Sequence, residues 1–196
     1  MTSAIVDLAL DLPEHWLPVP VERDLTAGRQ WAIETAQQLD ATPALAGALA
    51  AEQARLALDE PLIGLVFVPD GRAERLEASL RIDLLQAEGD GAIDSPASFL
   101  SGIETEARAA GAREVRSWSS PHPQGAVAGI SSVQAASGPG GRGEALLRIT
   151  LVLFPEGAAQ SVRLVLDAHP VAGRALRDPV AYAKRLASSL TAVLEG

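Results

Sequence analysis

The chain has no cysteine, a single lysine (Lys184) and one tyrosine, and aromatic residues make up only 4% of its 196 positions. Without cysteine there is no disulfide, no thiolate nucleophile and no Cys-ligated zinc. No run of about 18 apolar residues occurs, so no segment reads as a membrane-spanning helix. Positive charge is scarce as well: 16 Lys and Arg face 25 Asp and Glu, giving a net charge of -9. Nucleic acid and anionic membrane surfaces repel such a chain, and the scattered arginines form no basic stripe. The near absence of lysine beside many arginines follows from GC-rich codon use without invoking function. The opening MTSAIVDLALDLPEHW has no basic region and carries Asp7 and Asp11 within its apolar stretch. It does not read as a signal peptide, and the expectation is a cytoplasmic protein without membrane insertion.

What remains is ordinary globular composition, 47% hydrophobic and 21% charged. The length suits one well-buried domain, expected over residues 1–196. Periodicity divides it. Residues 4–12 alternate as a half-buried strand, with Ala4, Val6, Leu8, Leu10 and Leu12 on one face. Pro13, Pro18 and Pro20 then forbid a central strand and leave an extended edge segment. Helices are predicted from about Asp24 to Asp40 and from Thr42-Pro43 to about Asp59, the second carrying Leu45, Leu49 and Leu56 on one face. The runs 61–69 and 76–84 read as an antiparallel hairpin. Ser95-Pro96 opens a third helix, with Phe99, Ile103 and Ala107 inward and Gly111 at its end. Strands follow over 113–119, 126–136, 147–153 and 162–168. Asp178-Pro179 opens a last helix with a stripe of Ala183, Leu186, Leu190, Val193 and Leu194. Strands and helices without strict alternation predict an α+β fold, a largely antiparallel sheet of about six to seven strands packed with helices.

Motifs for chemistry are few. Gly138, Gly140 and Gly143 match the G-x-G-x-x-G spacing of a dinucleotide loop. Such a loop must open a helix, whose N-terminal amides hold the pyrophosphate. Here EALLRITLVLF follows, with strand periodicity, and Pro139 removes an amide. A hairpin loop is the expectation, and no cofactor is called for. His15, His122 and His169 have no metal-ligand spacing, and each has a proline within two residues, which places them in turns. Ser117, Ser119 and Ser120 precede His122, but a nucleophile needs a base within reach and a group to orient it. Glu104/Glu106 and Asp59/Glu60 are too close in sequence to face each other on a helix, and with Arg55, Arg108 and Arg116 they read as surface charges. Trp16 should pin the proline-rich segment to the core, and Trp31 should pack on the sheet. Trp118 lies in RSWSS between Arg116 and His122. A Trp beside Arg is a common interface anchor, and a partly buried Trp at a sheet edge is the alternative.

Leu10-Asp11-Leu12-Pro13 with Trp16, together with a late helix carrying Ala187, Ser188, Ser189 and Leu190 after an antiparallel meander, resembles the PsbP-like fold group. That group includes the photosystem II extrinsic protein, a Ran-binding nuclear-transport factor, mycobacterial Lpq-type lipoproteins and DcrB-like bacterial proteins. The resemblance implies an α-β-α sandwich and a mostly non-enzymatic role, with no catalytic residues to carry over. The chain departs from it in lacking the lipoprotein cysteine and in its two-helix segment over 24–59. The reading is a non-enzymatic module that binds another protein, an adaptor or chaperone for a secreted or envelope protein being the concrete form. Trp118, Arg116 and His122 are its expected partner-binding residues. A homodimer through a sheet edge is compatible with it. The alternative is a small-molecule-binding protein or a hydrolase built on Ser119, Ser120 and His122.

Overall fold

A computed structural model of the chain describes residues 2–21, 24–69, 76–86, 95–135, 145–169 and 176–195. Its helices start where short polar side chains can accept the first free amides. The Asp24 carboxylate accepts the N–H groups of Thr26 and Ala27 and opens α1 (Leu25–Gln38). Thr42 does the same for Leu45 at α2 (Pro43–Asp59), where Pro43 needs no partner for its nitrogen. Ser95 and Ser98 cap each other reciprocally at α3 (Pro96–Ala109). That helix ends on Gly111, at φ +76. The Gly111 N–H reaches Arg108 O at 3.0 Å and the Ala112 N–H reaches Ala107 O at 2.9 Å, closing the last turn. Asp178 caps α4 (Pro179–Ser189) through the Ala181 N–H.

The strands are β1 (Ile5–Ala9), β2 (Trp16–Val19), β3 (Ile63–Phe67), β4 (Ala78–Gln86), β5 (Arg113–His122), β6 (Gly125–Ala135), β7 (Ala145–Pro155), β8 (Gln160–Ala168) and β9 (Thr191–Leu194). Seven form one antiparallel sheet in the order β2-β3-β4-β8-β7-β6-β5, and β1 pairs with β9 in a separate ribbon. The proline-rich segment is thus an edge strand, as its missing amides require. The architecture is α+β, a sheet between helical layers.

Each face of the sheet follows from strand alternation. One face buries Leu80, Ile82, Leu151, Leu164 and Leu166 under α4 and the β1-β9 ribbon. Trp16 is pinned here: its indole N–H donates to Tyr182 Oη at 2.6 Å, and its ring lies 5.3 Å from that of Phe67. The other face carries two separate apolar clusters. The α1-α2 hairpin covers Val19, Val66 and Val68, with half-buried Trp31 against that cluster. Helix α3 covers Ala128, Ile130 and Val152. Between the two clusters the sheet floor is polar.

Two expectations needed correction. The last helix ends at Ser189, because Leu190 takes an extended backbone (ψ 129), and Thr191–Leu194 becomes β9. Val193 is therefore 44% exposed instead of joining the helical stripe. The ribbon is the cause: β1 needs a strand beside it, and the Gln124 carboxamide takes both backbone groups of Ala192 at 2.8 Å. In β1 the register shifts between Ile5 and Asp7. Ile5 turns into the core and Val6 is left 59% exposed, opposite to the alternation expected for residues 4–12, while Leu8 and Leu10 beyond the shift pack against the core as expected. Among the described residues, no helix is long and apolar enough to cross a membrane.

Candidate functional site

Alternation along β5 puts Arg116, Trp118, Ser120 and His122 on the face that looks toward α4. Pairing fixes this: Trp118 lies opposite Gly129, Ser120 opposite Val127, and Val127 belongs to the core beneath α4. Trp118 packs its indole against that core directly over Gly129. A Cβ at Gly129 would fall 2.5 Å from the indole, so the absent side chain is the slot in which the ring sits. Lys184, from α4, places its ammonium 4.5 Å from the ring centroid. Trp118, Ser120, His122, Lys184 and Ser188 line a cavity of about 180 Å³ between strand and helix. Arg116 shares their face, is exposed, and does not line the cavity.

His122 ends β5 instead of lying in a turn. Its Nδ1 accepts the backbone N–H of Gln124 at 3.1 Å, which assigns the ring proton to Nε2. That Nε2 is buried and without a hydrogen-bond partner among the described residues, and so is Nε1 of Trp118. Two ring donors beside one cavity therefore have no acceptor. The same tautomer disfavours a serine nucleophile. A general base must accept a proton at a free ring nitrogen, and in His122 Nδ1 is engaged by the Gln124 N–H while Nε2 holds the ring proton. No hydrogen bond links Ser119 or Ser120 to His122 among the described residues, and no carboxylate orients the ring. Ser117 faces the other way and donates to Glu104 of α3, so Glu104 is not a purely solvated charge.

The edge itself bears on the site. Beyond β5 there is no further strand among the described residues. Its first half is irregular, with Glu114 at φ +51 and a register shift between Arg113 and Arg116. Pro121 lacks an amide near its end. These features confine free, regular edge to Ser117–Ser120.

A larger feature lies on the opposite face, between α2 and α3, and the sequence reading missed it. There the cross-strand neighbours run Ser79-Asp167-Arg148-Ser132 in one row, Arg81-Val165-Thr150-Ile130 in the next, and Asp83-Arg163-Val152-Ala128 in the third. Arg148 donates Nε and Nη2 to the two Asp167 oxygens at 2.7 and 2.8 Å. Arg163 donates the same pair of nitrogens to Asp83 at 3.0 and 2.8 Å. Arg81 pairs with Asp59 of α2. Arg55 joins Glu52 at 2.6 Å and reaches Ser79 at 3.2 Å, so it is not the free surface charge its position suggested. The hydrogen bond to Asp167 raises Arg148 above the ordinary guanidinium range, against its burial. Arg55 is raised too: burial opposes the charge, and Glu52, Asp167 and Asp59 together outweigh it. The cleft above this floor has a volume of about 570 Å³. A signal was available: SLRIDLL, LLRITLVL and SVRLVLDA each carry one arginine with a Ser, Thr or Asp on the same side of a strand whose other side is apolar.

The glycines 138, 140 and 143 lie outside the described residues. The segments on either side are the antiparallel strands β6 and β7, paired from Ala135 and Ala145 onward, so no helix N-terminus follows the glycines. Among the described residues no cluster of three or more His, Cys, Asp or Glu could hold a metal ion.

No family model matches this chain, and no curated protein matches its sequence. Solved structures do resemble it. LpqN, involved in cell envelope biogenesis of Mycobacterium tuberculosis, superposes with a TM-score of 0.50 at 14% identity, over 95% of this chain and 83% of that one. The Saccharomyces cerevisiae Ran-binding protein Mog1p gives a TM-score of 0.47 at 10% identity, over 94% and 89% of the two chains. The fold is therefore PsbP-like, as the sequence resemblance implied.

Proposed function

We propose that this chain is a non-enzymatic protein-binding module that takes an extended partner segment along β5, with Trp118 and His122 as its specificity contacts. The observation that carries the reading is the combination at one place of a strand edge and two buried ring N–H donors, neither of which has a partner among the described residues. A strand-like segment supplies what both lack. Its main chain pairs with Ser117–Ser120, and an acceptor side chain on its α4-facing side meets the indole and imidazole. Lys184 and Arg116 make that side chain an acidic one by charge complementarity. Buried donors left unmet cost free energy, which a correct partner recovers and a wrong one does not. An adaptor or chaperone for a secreted or envelope protein is the concrete form of this role. Pairing between two copies is less favoured, because a symmetric match needs a long flat edge and only Ser117–Ser120 offer one.

The test has two steps. A stoichiometric partner is recovered with the tagged protein, and its affinity for the purified chain and for Trp118→Ala is then measured by calorimetry. Loss of a central aromatic anchor should weaken binding about 10- to 100-fold. Because the indole also packs on the core, the urea midpoint should fall too, and the affinity is compared under conditions where circular dichroism shows the variant folded. A variant that binds as tightly as the parent removes Trp118 from the interface and with it this reading.

A further inference from the structure

The cleft between α2 and α3 has a chemistry at odds with the whole molecule. The chain carries a net charge of -9, yet three of the four charged side chains lining the cleft are arginines: Arg81, Arg148 and Arg163, against Glu106 alone. The carboxylates that pair with those arginines, Asp59, Asp167 and Asp83, do not line it. They hold the guanidinium groups in place from the side. Nε and Nη2 of Arg148 and Arg163 are spent on these pairs, which leaves Nη1 of each to face other acceptors. Arg81 Nε is buried with no acceptor among the described residues. The wall is different in kind. Phe99, Ile103 and Ala107 of α3 stand over Ile130 and Val165, so one side of the cleft is apolar and the floor is rich in donors.

We propose that this cleft binds a small organic acid, its carboxylate on the arginine floor and its apolar body against Phe99, Ile103 and Ile130. The volume, about 570 Å³, is that of a small-molecule site. Guanidinium groups already oriented by a carboxylate lose little freedom when they take a second one, and their fork geometry suits it. Because each arginine is balanced by its own aspartate, the floor favours a single negative charge over a multiply charged anion. The apolar wall selects a hydrocarbon body over a bare inorganic ion. The site is on the opposite face of the sheet from Trp118 and stands apart from the protein-binding reading.

Octanoate titrated into the full chain, followed by calorimetry and by amide shifts of Gly102, Ile130 and Val165, tests it. Saturable binding is expected, with octanamide about tenfold weaker or worse, since a charge-assisted hydrogen bond is lost. Two variants localise it. Arg163→Gln should weaken octanoate about tenfold by the same argument. Gly102→Leu keeps every arginine: a Cβ at Gly102 meets nothing within 4 Å, so the new side chain enters the cleft without a clash and should abolish binding while the helix gains stability. The proposal is overturned by any of three results: no saturable octanoate binding, octanoate binding unchanged in Gly102→Leu, or inorganic phosphate binding as tightly as octanoate.

Discussion

The Trp16–Tyr182 hydrogen bond joins β2 to α4 across the core, and it makes two measurable claims. The phenol accepts the indole N–H, so Tyr182→Phe leaves a buried donor unmet and should cost about 1–2 kcal/mol in urea unfolding. The phenol is also raised above its ordinary 10.0, first by burial, with Trp16 and Arg185 pulling it back. The folded chain thus holds that proton more tightly than the unfolded one. The stability this contributes is complete below about pH 10 and is lost as pH rises through the folded value. Tyr182 is the only tyrosine in the sequence, so an ultraviolet absorbance titration reads it alone. Its midpoint should lie above that of the urea-unfolded chain, and Tyr182→Phe should flatten the fall in stability on the alkaline side. Coincident midpoints would refute the assignment. Gly129 makes a comparable claim about the binding edge. Gly129→Ala puts a methyl where the Trp118 indole rests, and overpacking of this kind costs about 1–3 kcal/mol. The Trp118 indole proton should shift in the NMR spectrum while the Trp31 indole proton does not.

The β1-β9 ribbon shows which elements local sequence can and cannot announce. Every helix start was legible, because Asp24, Thr42, Ser95 and Asp178 act on amides within three residues of themselves. Gly111 likewise marked the end of α3. The end of α4 was not legible. Val193 and Leu194 continue the helical spacing, and only β1, almost the whole chain away, makes them a strand. Nor does any periodicity reveal that two glutamines fasten the ribbon. Gln160 accepts the Ile5 N–H at 3.0 Å, and Gln124 both donates to and accepts from Ala192. Gln124→Ala should therefore cost about 1–3 kcal/mol. The loss should be local, with faster hydrogen exchange in β1 and β9 and unchanged protection in β6 and β7. A uniform loss of protection would show that the ribbon unfolds only with the whole sheet.

Taken whole, the molecule is a sheet with two unlike faces, and that asymmetry is where sequence reading fell furthest short. Read singly, β4, β7 and β8 each show an arginine among outward polar residues, which resembles solvated surface. Only the strand order brings these arginines beside one another, and it places β8 between strands distant in the chain. The same order sets Asp167 between Ser79 and Arg148 and within 3.8 Å of Arg55. Trp118 was legible on a strand, but His122 was expected in a turn; only the extension of β5 to His122 puts the two on a common face. The aspartate has no water to fall back on: its side chain is 7% exposed, against 31% for Arg148. Two buried charges attract strongly but surrender hydration, so the pair as such adds little stability, while either charge left alone is expensive. Asp167→Leu and Arg148→Met singly should each destabilise the protein, by about 3 kcal/mol for Arg148→Met, which leaves the buried aspartate only Arg55 at 3.8 Å, and by less for Asp167→Leu, whose orphan reaches solvent. The double variant should recover most of the loss, and a urea double-mutant cycle should give a coupling of about 1–3 kcal/mol. Additive losses would mean that the two side chains are tied separately to the sheet. Recovery would mean that an apolar pair at the centre of the floor holds the fold as well as the charged pair does, so that fold stability alone does not call for the charges there.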